Sequence, residues 1–297
     1  MKIRTSWFIY PFIVTLCVLG ASVASATETV TLGILAYLPK AEILRRYEPI
    51  AEHLNKVLGD VNIEIVALSY DNDEIEKALD RKELDLLLTN PSHYVQLQKI
   101  HQFIGPLVTQ EVLENDKPTA LMGGVIFTRA DRADINGLPD LVSAKIVTPD
   151  VRSLGGYQAQ AYEMLKAGLP LPKRIIFMNK HDTVISEVMS GKADVGFVRT
   201  GVLEGLEKAG QLNLSKIKII NPQKEISFPT SLSTRLYPEW PVVATQKISS
   251  KTRDRITNEL LAIKSDSLVA RNARIAGFSP PKSYQQVEDL AAALKLQ

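Results

Sequence analysis

Leu84-Asp85-Leu86-Leu87-Leu88 runs into Thr89-Asn90-Pro91-Ser92, and further along Ala193-Asp194-Val195-Gly196-Phe197-Val198 runs into Arg199-Thr200-Gly201. Each stretch is one acid, an apolar strand, then polar residues and the start of a helix. The likeness extends upstream at a constant offset: Ile75, Leu79 and Asp85 meet Val184, Val188 and Asp194. Two similar α/β modules predict two similar lobes. Ligands of such folds sit beyond the carboxyl ends of the strands, so the two strand-to-helix corners are expected to face a shared cleft. Asp85 and Asp194 hold equivalent places, which points to a structural task such as capping rather than to an acid–base pair.

Working outward, strands and helices alternate. Thr29–Ala36 reads as a strand, Pro49 as the opening of a helix that Gly59 ends, and Asn62–Leu68 as a second strand. Asp71-Asn72-Asp73 caps the helix before Leu84. After Arg129 the pattern repeats, with strands at Lys145–Thr148, Arg174–Met178 and Lys216–Ile220. Such alternation predicts largely parallel sheet covered by helices. Pro222, Pro229, Pro238 and Pro241 then punctuate a stretch without period, read as the return crossing between lobes. The expected division is residues 27–121 with 226–297 in lobe 1 and 122–225 in lobe 2, joined by a two-crossing hinge.

Residues 1–26 read as an export signal. Lys2 and Arg4 precede the apolar run Trp7–Leu19, and Ala24-Ser25-Ala26 suits cleavage. The run is shorter than the ~20 residues of a spanning helix, so no membrane insertion is expected after cleavage, and the predicted location is the periplasm. Cys17 is the only cysteine, which leaves the mature chain without disulfides or thiolate ligands. Lys and Arg number 35 against 33 Asp and Glu. Removing Lys2 and Arg4 makes the signs equal, so a nucleic-acid partner is not expected.

The candidate ligand contacts lie where strands end. Asn90, Ser92, His93 and Tyr94 follow the first apolar strand, and the free amides of the turn at Pro91 suit an anion. Arg152-Ser153-Leu154-Gly155-Gly156-Tyr157 offers Ser153, amides and a helix start. There Gly155 and Gly156 permit either a close ligand or close packing. His181 answers Asn72 at the module offset and can offer a hydrogen bond or a pH-dependent charge. Arg199 and Thr200 end the second strand, with Arg199 facing either an anion or a neighbouring acid. Tyr37 and Tyr70 are candidates for an aromatic wall. Ser233–Pro241, with Trp240, reads first as structure.

Enzyme chemistry finds little support. His53, His93, His101 and His181 are the only histidines, and none stands at metal-ligand spacing. G-x-S-x-G, G-x-G-x-x-G and Walker patterns are absent. No catalytic residue, metal or cofactor is expected.

Thr89–Val95, Gly123–Arg129, Ser153–Tyr157, His181–Val184, Ala193–Thr200 and Ser233–Pro241 together resemble the periplasmic phosphate/phosphite/phosphonate-binding family of PhnD-like proteins. The Arg-Thr-Gly and Leu-Tyr-Pro-Glu-Trp runs resemble its subgroup that serves as sensory input to membrane histidine kinases. The resemblance implies an α/β, two-lobed type 2 periplasmic binding protein fold, with two mixed sheets flanked by helices and a two-strand hinge. It implies closure on a small oxyanion. By position, Ser153, Gly155, Gly156 and Tyr157 match the anion-binding helix start, Asn90, Ser92, His93 and Tyr94 the facing segment, and His181 a cleft histidine. Phosphonate binders present more hydroxyls than Leu154-Gly155-Gly156 does, and thiol capture of arsenite has no cysteine here. The expected partner of the closed form is a separate sensor histidine kinase; the alternative is the permease of a phosphonate/phosphate-type ABC transporter. A binding fold used only for protein contacts is a further alternative.

Overall fold

The computed structural model describes residues 27–225 and 228–296. The expected export segment lies outside them. Among the described residues no helix is long and apolar enough to cross a membrane.

The first half of the chain gives β1 (Glu28–Leu35), α1 (Lys40–Leu58), β2 (Val61–Leu68), α2 (Glu74–Asp80), β3 (Leu86–Leu88), α3 (Pro91–Leu97), β4 (Phe103–Glu114), β5 (Lys117–Thr119) and β6 (Leu121–Met122). The middle gives β7 (Gly124–Arg129), β8 (Lys145–Thr148), α4 (Ala159–Lys166), β9 (Arg174–Phe177), α5 (His181–Met189), β10 (Val195–Arg199), α6 (Val202–Lys208) and β11 (Ile217–Ile220). The last part gives β12 (Tyr237–Pro238), β13 (Pro241–Thr245), α7 (Ser250–Ala262), α8 (Leu268–Ala273), β14 (Gly277–Ser279) and α9 (Gln285–Ala293).

The strands form two mixed sheets, one per lobe, of the same plan. One runs β2-β1-β3-β13-β4-β14, with β5 added on β4; the other runs β9-β8-β10-β7-β11. In the first, β1 is parallel to β2 and β3, and β13 is antiparallel to β3 and β4. In the second, β8 is parallel to β9 and β10, and β7 is antiparallel to β10 and β11. In each sheet the strand that the chain enters just after a crossing between lobes, β13 or β7, runs antiparallel to both of its neighbours. The crossings are β6 and β12, which pair antiparallel with each other, Tyr237 opposite Met122. This is the two-strand hinge. The chain returns later than residue 226. Ser233 N–H still donates to Gly124 O at 2.8 Å, and its Oγ accepts from Ile126 N–H at 2.9 Å, so this stretch is bonded to β7.

The apolar strands sit between helix layers. Leu86 and Leu88 join one core with α1, α7 and α8, while Leu87 faces a second core with α3 and α9. That two-sided burial explains the unbroken leucine run. In the other sheet Val195 and Phe197 face one core and Val198 the opposite one. Met122, Leu154, Ala159 and Tyr237 pack into the same core as Tyr94 and Leu290, so apolar contact continues past the hinge from one lobe to the other.

One helix differs from its sequence reading. Pro49 lies inside α1 rather than at its start. A mid-helix proline removes one backbone bond. Burial of Ile43, Tyr47, Ile50, Leu54 and Leu58 on one face of the same helix outweighs that loss.

Candidate ligand-binding cleft

The candidate residues collect at the carboxyl ends of the parallel strands. Tyr37, Tyr70 and Asn90 follow β1, β2 and β3; Ser153 and His181 follow β8 and β9; Arg199 ends β10. The two sets meet. Asn90 Nδ2 donates to Arg152 O at 3.3 Å, and the Arg152 guanidinium stands 4.3 Å above the Tyr70 ring. Arg152 is thus the residue through which the second lobe touches the first at this point.

On the first lobe, Asn90 caps α3 by accepting Ser92 N–H at 2.8 Å, and Pro91 takes the first helical position. Ser92 is fully buried, and its Oγ accepts from Gln96 at 3.1 Å. His93 is also buried. Its Nδ1 lies 2.9 Å from Thr89 Oγ1 and its Nε2 3.3 Å from Glu76 Oε1. The bond from His93 holds the Glu76 carboxyl below its ordinary range, so Glu76 is a carboxylate. Tyr70 meets the His93 ring edge to face at 4.8 Å. Burial pushes its phenol well up, and the hydroxyl stays neutral. Tyr37 packs on Trp240 at 5.1 Å and remains 44% exposed. Tyr94 points elsewhere: it packs against Phe103 and Tyr284 in the core. Its neighbours His93 and Ser92 share the helical turn, but a helix sends successive residues to different faces.

On the second lobe, Ser153 caps a turn of π-helix, Leu154–Gln158, that leads into α4; its Oγ accepts Gly156 N–H at 3.1 Å. Both glycines are required by packing. A Cβ on Gly155 would lie 2.9 Å from Arg199 Cβ and 3.0 Å from Gly123 O; one on Gly156 would lie 2.5 Å from Pro149 Cγ. Tyr157 stacks edge to face on Phe177 at 5.6 Å. His181 opens α5 with its Nδ1 enclosed and without a partner. Burial, reinforced by the charge of Arg199, brings the ring down to about 4, so it is neutral near pH 7.

Arg199 takes the acid alternative. Its Nη2 donates to Glu239 Oε1 at 2.7 Å and Glu114 Oε1 at 3.2 Å, and both glutamates are buried. Thr200 Oγ1 donates to Glu114 Oε1 at 3.3 Å. Gly201, with φ +77, leaves room for Glu114, since a Cβ there would stand 2.2 Å from Oε2. The Arg-Thr-Gly triplet therefore wraps a carboxylate of the chain itself, close to the hinge, and Arg199 reaches the cleft as a positive field on His181. Burial pushes Glu114 upward despite Arg199. Nothing local in the sequence pairs Glu114 or Glu239 with Arg199, which lies 85 and 40 residues away.

Between the lobes lies a cavity of about 130 Å³ lined by Tyr70, Asp73, Glu76, His93, Gln96 and Arg152. The sequence points to Tyr70 and His93, marks Asp73 only as part of the cap before α2, and gives no sign of Glu76 within α2. Among the described residues no group of three His, Asp or Glu could hold a metal ion.

Comparison with known proteins gives this geometry a family. Residues 32–285 match the family model described as the periplasmic substrate-binding protein of phosphonate ABC transporters. The chain is 25% identical over 200 residues to the phosphate-import protein PhnD of Mycolicibacterium smegmatis, a match that takes in 62% of this chain and 61% of that protein. PhnD1 of Prochlorococcus marinus, solved with methylphosphonate, has a TM-score of 0.67 at 16% identity, covering 91% of this chain and 99% of its own. A Xanthomonas citri protein bound to ATP has a TM-score of 0.69 at 15% identity, covering 90% and 97%. A phosphonate-transporter binding protein of Pseudomonas aeruginosa has a TM-score of 0.63 at 16% identity, covering 89% and 85%. These likenesses agree on the type 2 periplasmic binding protein fold. The chain belongs to the phosphonate-binding family of periplasmic substrate-binding proteins, which bind solutes and are not enzymes.

Proposed function

We propose that this chain is the periplasmic substrate-binding component of a phosphonate- or phosphate-type ABC transporter, and that it closes on a small oxyanion between its lobes. The family description and the phosphate-import relative favour a permease partner. The sensor histidine kinase expected from the Arg-Thr-Gly and Leu-Tyr-Pro-Glu-Trp runs has no such support. The structure gives those runs other work, in the Glu114 and Glu239 pairs and in the packing of Trp240 on Tyr37.

The observation that carries the reading is the enclosed, unpartnered Nδ1 of His181 in the field of Arg199, on the same set of strand ends as the Ser153-capped turn. A buried polar nitrogen without a partner is costly, and an oxyanion between the lobes supplies the partner. Ser153, Gly155, Gly156 and His181 form the second-lobe contacts, with Tyr157 beside them. Asn90 and the start of α3 form the first-lobe contact, while Ser92 and His93, whose polar atoms are engaged by Gln96, Thr89 and Glu76, hold that turn in place from behind. Tyr94 supports that segment from the core, and Arg199 and Thr200 act through charge and hinge geometry. Contacts from both lobes stabilise the closed form over the open one.

A thermal-shift screen of residues 27–297 tests this with phosphate, phosphite, methylphosphonate, sulfate, arsenate and small carboxylates. A ligand at 100 times its dissociation constant adds ~2.7 kcal/mol, a shift of a few degrees. A hit among the phosphorus oxyanions that is lost in His181→Ala and Ser153→Ala supports the reading. No shift with any of them contradicts it.

A further inference from the structure

We infer that the cavity under Arg152 is a subsite for a hydroxyl group on the ligand, so that the preferred ligand is a hydroxyl-bearing organic oxyanion rather than a bare one. This rests on the oxyanion-binding reading of the cleft and narrows its ligand class.

The cavity holds about 130 Å³, lined on the first lobe by Tyr70, Asp73, Glu76, His93 and Gln96 and closed from the second lobe by Arg152. That volume admits a few waters or one short substituent. Arg152 directly precedes Ser153, the cap of the glycine turn, so the cavity adjoins the expected oxyanion position.

The walls do not suit the oxyanion itself. Glu76 is ionised and Asp73 is acidic. The one arginine is already neutralised, its Nε and Nη2 donating to Asp150 at 3.0 and 2.9 Å. Two oxygens of the lining residues lack any partner: Glu76 Oε2 and the Tyr70 hydroxyl, both without exposed surface. Glu76 Oε1 is bonded to His93, so Oε2 is the oxygen left to accept. Closure places Arg152 over Tyr70, and an empty closed cleft leaves a carboxylate oxygen and a phenol unpaired, which is unfavourable. A guest introduced while the lobes are apart removes that cost.

A hydroxyl complements both groups at once. It donates to Glu76 and accepts from Tyr70. An ammonium could donate to both but would leave the Tyr70 proton unused, and it would sit beside the Arg152 guanidinium. A methyl satisfies neither.

Calorimetric titration of residues 27–297 with ethylphosphonate, 2-hydroxyethylphosphonate and 2-aminoethylphosphonate reads this directly. A hydrogen bond to a charged group corresponds to about tenfold or more in affinity. We expect 2-hydroxyethylphosphonate to bind at least about tenfold tighter than ethylphosphonate. The ratio should fall towards one in Glu76→Gln, and it should shrink in Tyr70→Phe, which removes only the hydroxyl. Should Glu76→Gln fail to fold, the wild-type ratio and Tyr70→Phe decide. Equal binding of the hydroxyl and ethyl compounds, or a ratio untouched by both variants, overturns the subsite while the cleft reading stands; water alone then fills the cavity. Tightest binding of the amine overturns the hydroxyl assignment. Failure of all three compounds and of inorganic phosphate to bind overturns the cleft reading, and the subsite with it.

Discussion

Asp85 and Asp194 make the same bonds in the two sheets. Asp85 Oδ2 accepts Thr31 N–H at 2.8 Å, and Asp85 N–H returns to Thr31 O at 3.0 Å. Asp194 Oδ2 accepts Lys145 N–H at 2.8 Å, and Asp194 N–H returns to Lys145 O at 2.9 Å. Each acid also meets a cation, Lys247 at 3.0 Å and Arg132 at 2.6 Å. Each thereby ties the strand that follows it, β3 or β10, to the neighbouring parallel strand, β1 or β8. The sequence repeat is a repeat of this lock.

Replacing either acid by alanine should therefore cost stability by similar amounts, about 2 kcal/mol each, because a backbone N–H loses a charged acceptor. Urea unfolding of Asp85→Ala and Asp194→Ala checks this. A loss in one variant and none in the other would contradict the equivalence.

The Arg199 cluster predicts a comparable loss. Glu239→Ala removes one of two carboxylates from a half-buried arginine that keeps Glu114, so the cost is that of one hydrogen bond between charged groups, ~1.5–3 kcal/mol. Gly201→Ala should also destabilise, since its φ of +77 and the nearby Glu114 Oε2 both oppose a side chain. Denaturant midpoints of the two variants measure both effects, and wild-type midpoints would contradict the packing described.

His181 makes stability depend on pH. Its folded value of about 4 lies below the ordinary 6.5, so the unfolded chain binds more protons between these limits. Stability then rises with pH from about 4 to 6.5 and is fully present above that window. The contribution has an upper limit of ~3 kcal/mol, less whatever solvent reaches the ring edge. His181→Phe should flatten this part of the profile in urea melts at pH 4.5 and 7. A bound anion at Nδ1 favours the imidazolium, so binding should draw a proton. Titrations in two buffers of different ionisation enthalpy read that uptake.

Much of the fold was legible because burial leaves period in the sequence. Leu86–Leu88 and Val195–Val198 read as two-sided strands, and the candidates fell on strand ends because a strand followed by a helix start marks that place. What escaped depends on distant contacts. β4 carries no clear strand period, since Gly105 and Pro106 interrupt it and its register against β13 shifts twice. The return crossing β12 falls inside the proline-marked stretch, but the point within that stretch where the chain leaves β7 does not show in the sequence, because the bonds of Ser233 to β7 leave no local pattern. Arg199 could be assigned to an anion or an acid from its neighbours alone; only the fold brings Glu114 and Glu239 to it. Glu76 reads as an ordinary helix-surface acid until His93 is set beside it.

The central claim is that the lobes close on a small oxyanion, and small-angle scattering of residues 27–297 tests it most directly. The account predicts that the radius of gyration falls on adding the phosphorus oxyanion that stabilises the protein, and that His181→Ala abolishes the fall at the same ligand concentration. A stabilising ligand that leaves the radius of gyration unchanged would contradict closure between the lobes.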